Sequence, residues 1–162
     1  MFTRSILICL TALVVAVHGG CPRLCSKKNL EQYSAQQIID ELDLTINEHN
    51  SHYRRNFLDA ATTNNRSVSS AIYSLVEHGR VPQWYQVDAT QIIHYYGGAP
   101  ASYYLSEDDG QPPRHVILGL DIFSGQVLQL VVEPYEWLSA QSHGKWTLTG
   151  GTSKYDVSET HA

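Results

Sequence analysis

Over most of the chain after residue 44, hydrophobic and polar positions alternate, as they do in strands that bury one face. The alternating segments are short and rich in β-branched and aromatic residues, and turn-forming residues separate them. Many short strands with little helix predict an antiparallel β sandwich or barrel. The predicted strands are residues 68–76, 83–87, 91–96, 101–105, 114–120, 126–132 and 145–150.

One segment, SAQQIIDEL at residues 34–42, has the periodicity of a helix instead. Ile38, Ile39 and Leu42 recur on one face of that helix. Ser34 stands at the N-cap, and Gln37 completes the pattern of a capping box. The sequence therefore predicts one N-terminal helix ahead of the strands.

The first twenty residues have the order of a secretory signal peptide. Arg4 precedes an apolar run over residues 6–17, and small residues follow at Gly19 and Gly20. The run is shorter than the ~20 apolar residues that a membrane span needs. We predict cleavage after Gly19 and a secreted, extracellular protein with no membrane association after cleavage. The alternative is a retained N-terminal anchor.

Export changes how the cysteines and one asparagine are interpreted. Cys21 and Cys25 are left after cleavage, and an even number of cysteines in an oxidising compartment favours a disulfide bond between them. Two unpaired thiols are the alternative. Asn65 begins an Asn-Arg-Ser sequence, which predicts a glycosylation site on the surface.

Charge narrows the set of partners. The formal net charge is −5 at pH 7, and lysine and arginine form no cluster along the chain. Nucleic acid and anionic membranes are therefore not expected partners. The predicted organisation is a signal peptide at 1–19, an N-terminal extension at 20–33, one domain at 34–150 and a flexible tail at 151–162.

The residues from Gly79 to Gly98 resemble the first metal-binding motif of cupins. In that motif a glycine is followed after five residues by His-x-His, after three or four more by Glu, and after six more by Gly. Here the spacing is kept, but the three ligand positions hold Tyr85, Val87 and Gln91. Valine offers no donor and glutamine is a poor neutral one, so we expect no metal and no cofactor.

A longer stretch resembles the cupin group known as domain-of-unknown-function family 985. The resemblance is carried by SSAIYSLVEHGRVPQWYQVDATQIIHYYGGAP, by LGLDIFSGQVLQLVVEPYEWLSAQSHGKWTLTGG and by the Tyr53-Arg54 pair, and it covers about residues 34–150. It implies an all-β cupin double-stranded β-helix, a jelly-roll barrel, with one N-terminal helix. It also implies a homodimer and a barrel mouth that holds one small-molecule ligand.

The same resemblance implies which side chains enter the barrel. The family's ligand positions point inward, and strand alternation puts Gln91, Ile93 and Tyr95 on one face with His94 on the other. Phenol and amide groups favour a neutral polar ligand. The family's final segment is absent after Gly151, so we expect one barrel edge to need cover from the tail or from a partner. The candidate pocket residues are Tyr85, Gln91, Ile93, Tyr95, Trp137 and Tyr53.

Three functions agree with these residues. The first is a metal-free cupin that binds a small polar ligand. The second is a metal-independent sugar isomerase or epimerase, similar to cupins that use a His base and a Tyr acid, with Tyr85, Tyr95 and His52 as candidates. The third is a non-catalytic structural or interaction protein that uses a dimer surface. His49 and His52 could enter the pocket or form a polar strand edge.

Overall fold

Two β sheets and one helix form the described part of the chain in a computed structural model. The structure describes residues 29–47, 51–80, 83–156 and 159–161, the last of these by its backbone. The helix is α1, Ala35–Leu42, and short 3₁₀ turns occur at Leu30–Gln32 and Ile122–Ser124. The strands are β1 Thr45–Ile46, β2 His52–Leu58, β3 Thr62–Thr63, β4 Arg66–Ser67, β5 Ser70–Glu77, β6 Tyr85–Val87, β7 Gln91–Gly98, β8 Ala101–Ser106, β9 Arg114–Leu118, β10 Gln129–Val132, β11 Trp137–Ser142, β12 Trp146–Ser153 and β13 Glu159–His161.

The strands form two facing antiparallel sheets. The larger sheet has the order β1-β2-β5-β12-β7-β10, and the smaller sheet has the order β13-β6-β11-β8-β9. Strands β3 and β4 form a separate hairpin. Apolar side chains from both sheets meet in one core, which confirms the predicted all-β jelly-roll fold with one N-terminal helix. The core residues are Ile93, Leu130 and Val132 from the larger sheet and Ala101, Tyr103, Leu105, Leu118 and Leu138 from the smaller sheet.

Strand β7 shows the predicted division between an inner and an outer face. Gln91 and Ile93 are buried, whereas Ile92 is exposed and His94 half-buried. A β-bulge between Leu148 and Thr149 of β12 shifts the pairing at the end of β7. The inward pairs across to β12 are Gln91 with Ser153, Ile93 with Gly151 and Tyr95 with Thr149.

Helix α1 covers part of the outer face of the larger sheet. Its Ile38 and Ile39 pack with Leu75, Trp146 and Leu148 in a second apolar cluster. The predicted capping box is confirmed at the start of the helix. The backbone N–H of residue 37 donates to the Ser34 hydroxyl at 3.2 Å, and the backbone N–H of residue 34 donates to the side-chain carbonyl at position 37 at 2.9 Å.

We expect Ser34→Ala to lower the free energy of unfolding by about 1 kcal/mol, because the substitution leaves a first-turn N–H without its cap. Urea unfolding followed by circular dichroism measures this change. Glu41→Ala, an exposed change on the same helix, is the control and should shift stability by less than about 0.5 kcal/mol. Equal losses in both variants would contradict a specific role for the cap.

The C-terminal end of the chain is paired further than the predicted boundary at 150. Strand β12 continues to Ser153, and the carboxylate of Asp156 lies 3.1 Å from the guanidinium of Arg55. Arg66 donates to the carbonyl of Asp156 at 2.9 Å and binds both carboxylate oxygens of Asp88 at 2.8 Å. Strand β13, in the predicted tail, pairs with β6 at the edge of the smaller sheet.

Candidate functional site in the barrel interior

The three positions of the cupin metal motif face the interior. Tyr85 pairs with Leu138 on the inner face of the smaller sheet and packs against the core. Val87 is 1% exposed, and Gln91 is 9% exposed. The predicted orientation of these positions is therefore confirmed. Their donor set does not fit a transition metal, because an alkyl group and a neutral amide replace two of the three ligands.

Gln91 differs from its polar neighbours in having no side-chain hydrogen bond to any described residue. Across the sheet, Ser153 is satisfied, since its hydroxyl contacts the Ser70 hydroxyl at 2.9 Å and donates to the carbonyl of Tyr155 at 2.7 Å. An amide has two N–H donors and one carbonyl acceptor, and those of Gln91 are not among the fully buried side-chain atoms without a partner in the described part of the chain. The Gln91 amide is thus an inward-facing polar group that is available to a ligand.

Ile93 and Tyr95 belong to the packed part of the interior. Ile93 lies in the core with Leu118 and Leu130. Tyr95 packs against that core, and its hydroxyl donates to the carbonyl of Gly98. Burial raises the pKa of Tyr95, and the negative charge of Glu31 adds to this rise. These two predicted pocket residues therefore contribute packing at this end of the barrel.

The interior is more open toward β2 and β5. Tyr53 pairs with Ser74, which pairs in turn with Thr149, so these three residues form one row on the inner face. Tyr53 and Ser74 keep partial exposure, as do their inward neighbours Ile72 and Val76. Solvent therefore reaches the inner face here, unlike at the fully buried core.

Tyr103 is a buried aromatic residue next to Thr149, a member of this row. It is 3% exposed and lies on the inner face of the smaller sheet. Burial raises the pKa of Tyr103 to about 12, although the neighbouring Thr149 side chain acts in the opposite direction. The phenol is therefore a neutral group at physiological pH.

Trp137 does not line the interior, in contrast to our prediction. Its neighbour Leu138 is fully buried in the core, and successive side chains of a strand point to opposite faces. Trp137 instead lines a shallow cavity of about 270 Å³ on the outer face of the smaller sheet. The other residues that line this cavity are Trp84, Ser106, Asp108 and Pro113.

His52 lies on the outer face of the larger sheet. It pairs with Leu75, whose side chain packs in the cluster under α1, and its Nδ1 atom is 3.1 Å from the carboxylate of Glu77. Tyr85 and Tyr95 are on the inner side. The predicted His and Tyr candidates for acid–base catalysis therefore do not converge on one site.

One buried carboxylate was not recognised in the sequence. Glu136 is 8% exposed and accepts hydrogen bonds from the Arg114 guanidinium at 3.0 Å and from the backbone N–H of Glu133 at 3.1 Å. Its position two residues before the inward-facing Leu138 is the signal that could have indicated burial. The ion pair with Arg114 compensates the charge of Glu136.

Several predicted sites lie outside the described residues. They are the signal peptide, the Cys21–Cys25 disulfide bond and His49. Asn65 is described and is exposed in the turn between β3 and β4, where it has a φ of 62°. Asparagine tolerates this left-handed conformation, and its glycosylation stays a prediction.

Comparison with known proteins decides the family. A family model described as "Cupin superfamily (DUF985)" matches residues 36–154. The chain belongs to this cupin family. Within the described part of this cupin, no group of three or more His, Cys, Asp or Glu side chains is placed to bind a metal ion. A helix long and apolar enough to cross a membrane is likewise absent from that part.

Solved structures agree with the cupin fold. A protein from Shewanella oneidensis has a TM-score of 0.74 and 19% identity, with 80% of this chain and 85% of that chain covered. A hypothetical protein from Leishmania major has a TM-score of 0.68 and 16% identity, with 76% and 86% covered. An oxalate decarboxylase from Lactobacillus farciminis has a TM-score of 0.54 and 11% identity, with 76% and 34% covered. No curated protein matches this chain.

Proposed function

We propose that this cupin is a secreted protein that binds a small, neutral, polar molecule in the interior of its barrel without a transition metal. The observation that carries the proposal is the Gln91 amide, which faces inward, is nine-tenths buried and has no side-chain hydrogen bond to a described residue. A ligand with both hydroxyl and carbonyl character could pair with the donors and the acceptor of that amide.

The charges around the interior favour a neutral ligand. The carboxylate of Glu136 is paired with Arg114, and that of Asp156 lies beside Arg55. The polar groups left for a ligand are amide, hydroxyl and phenol groups, which bind sugars, polyols and small amides better than ions. The phenols of Tyr53 and Tyr85 add aromatic surface on which such a molecule can pack.

The cellular setting in this proposal comes from the sequence. The signal-peptide order supports export, and the exposed turn at Asn65 supports glycosylation of the exported chain. A Cys21–Cys25 disulfide bond and a homodimer belong to the same proposal. The isomerase alternative is less well supported, because His52 lies on the outer face of the larger sheet, away from Tyr85.

A thermal-shift screen of neutral sugars, polyols and small amides tests the proposal. At a concentration of one hundred times its Kd, a ligand should stabilise the natural protein by about 2.7 kcal/mol, which raises Tm by roughly 5–10 °C. Gln91→Leu should abolish that shift. Gln129→Leu, the same change at an exposed position of β10 opposite His94, should keep it.

The unliganded variants supply an independent control. Gln91→Leu should fold and differ from the natural protein by less than about 1 kcal/mol in its free energy of unfolding, because it removes no side-chain hydrogen bond to a described residue. Equal stabilisation of both variants by one ligand would contradict a site at Gln91. The absence of any stabilising ligand in the screen would favour the alternative of a structural or interaction protein.

A further inference from the structure

Two histidines and a serine form a hydrogen-bonded cluster on the outer face of the smaller sheet. Ser102 belongs to β8, His115 to β9, and His143 to the turn after β11. The Nε2 atom of His143 lies 2.7 Å from the Ser102 hydroxyl oxygen, and the Nε2 atom of His115 lies 2.8 Å from the same oxygen. The Nε2 atoms of two imidazoles therefore converge on one point.

The position of each ring is supported by its surroundings. The ring of His115 stacks on the ring of Tyr104, with centroids 4.9 Å apart and planes inclined by 17°. The backbone N–H of His143 donates to the carbonyl of Pro100 at 2.9 Å, which anchors the turn. Ser102 is only 5% exposed because the side chains around it cover it, while both histidines are exposed to solvent. An ion could thus approach the cluster directly from solvent.

The Ser102 hydroxyl cannot donate a hydrogen bond to both imidazole rings. A hydroxyl has one proton, so it can donate to the Nε2 lone pair of one imidazole, and the other imidazole must turn its own N–H toward the oxygen. No salt bridge joins His115 or His143 to a carboxylate in the described part of the chain. Two imidazoles that face each other without an acidic partner among the described residues offer suitable ligands for a borderline-soft cation.

We propose that His115 and His143 form a surface site for a divalent transition metal such as Zn²⁺, with water molecules completing the coordination. Because the two Nε2 atoms lie 2.7 Å and 2.8 Å from one oxygen, they are at most about 5.5 Å from each other. Tetrahedral coordination at ~2.0–2.1 Å brings two ligand nitrogens to roughly 3.3 Å, which exposed side chains can reach by small rotations. The metal takes the place between the rings that the Ser102 hydroxyl now bridges.

This site is separate from the proposed ligand site. Ser102 is on the outer face of β8, whereas its neighbours Ala101 and Tyr103 are in the core. Binding of Zn²⁺ at the histidine pair therefore does not require the interior pocket, and either proposal can fail without the other. The depleted cupin motif at Tyr85, Val87 and Gln91 plays no part in it.

Isothermal titration with ZnCl₂ at pH 7.5, on full-length protein freed of metal by chelator, tests the site. The natural protein should show one binding event that His115→Ala and His143→Ala each weaken at least tenfold. His94→Ala is the matched control and should leave the event unchanged. In the natural protein His94 also contacts a hydroxyl through Nε2, at 3.1 Å from Thr152, but has no second imidazole beside it.

A second measurement separates a shared site from independent binding. In a proton–nitrogen NMR titration, the imidazole signals of His115 and His143 should shift together and saturate at one Zn²⁺ per chain. The proposal would be overturned by an unchanged binding event in both alanine variants, or by a shift of only one of the two rings. Without metal, His115→Ala and His143→Ala should each lower the free energy of unfolding by no more than about 1 kcal/mol, because each leaves the Ser102 hydroxyl with the other imidazole as a partner.

Discussion

Gly98→Ala is expected to lower the free energy of unfolding by about 2–5 kcal/mol. Gly98 has a φ of +87°, in a region that costs a residue with a side chain roughly 1–2 kcal/mol. An added Cβ would also lie 2.5 Å from the carbonyl oxygen of Trp146 and from a ring carbon of the same residue. Overpacking of this kind adds about 1–3 kcal/mol, since Trp146 is buried beneath α1 and has little room to move.

Gly79→Ala is the matched control, because Gly79 is the other glycine of the cupin motif. Its φ is +77°, yet no atom of the described residues lies within 4 Å of the place that a Cβ would occupy. We expect a loss of about 1–2 kcal/mol from the backbone conformation alone. Urea unfolding of both variants measures the difference, and equal losses would mean that contact with Trp146 does not decide the need for glycine at position 98.

A second large effect is expected from raising the pH. In the folded protein burial raises the pKa of Tyr103 to about 12, against an ordinary value of 10, so the folded state holds this proton more tightly than the unfolded state. The resulting stability is fully present below pH 10 and is lost as the pH rises toward 12. Linkage gives a loss of about 2–3 kcal/mol over this interval, which unfolding experiments at a series of pH values can measure.

Two tyrosine variants assign this pH dependence to its source. Tyr103→Phe removes the titrating group, so its unfolding free energy should fall less steeply between pH 10 and 12 than that of the natural protein. Tyr104→Phe, on the adjacent outward-facing position, should keep the steep decline. Identical pH profiles for the two variants would show that Tyr103 is not the group responsible.

The strands predicted from the sequence are those whose apolar residues are large. Strands β5, β7 and β8 contain β-branched and aromatic residues at the alternating positions, so local preference and tertiary burial agree. Strand β11, with the sequence WLSAQS, was missed because it carries small and polar residues whose burial depends on pairing with β8 and β6. Strand β2 was missed because charged side chains lie along a largely exposed segment.

The interior site was predictable to the extent that it depends on alternation within one strand. The spacing of the motif put Tyr85 and Gln91 inside the barrel, where both are found. The faces of Trp137 and His52 depend on the register between strands that are far apart in the sequence, and one residue of register reverses a face. Alternation alone could not assign Trp137 and His52 to a face of the sheet, because the residues that pair with them were not known from the sequence.

Contacts between side chains on different strands could not be predicted from the sequence for the same reason. The convergence of His115 and His143 on Ser102 requires the pairing of β8 with β9 and the turn that follows β11. The lack of a partner for the Gln91 amide is likewise a property of the packed neighbours and not of the residue itself. Sequence patterns indicate which chemical groups are present. Whether each polar group has a hydrogen-bond partner depends on tertiary contacts.

The place of β12 in the larger sheet has a consequence for the order of folding. This strand follows the other strands of the larger sheet in the sequence, yet it is the strand that joins β5 on one side to β7 on the other. A nascent chain that ends before Trp146 therefore holds two half-sheets with no shared edge. The barrel can close only after β12 has been released, and such long-range pairing is slow and exposes unpaired edges in the meantime. A chaperone that binds extended segments would have its longest opportunity during that interval.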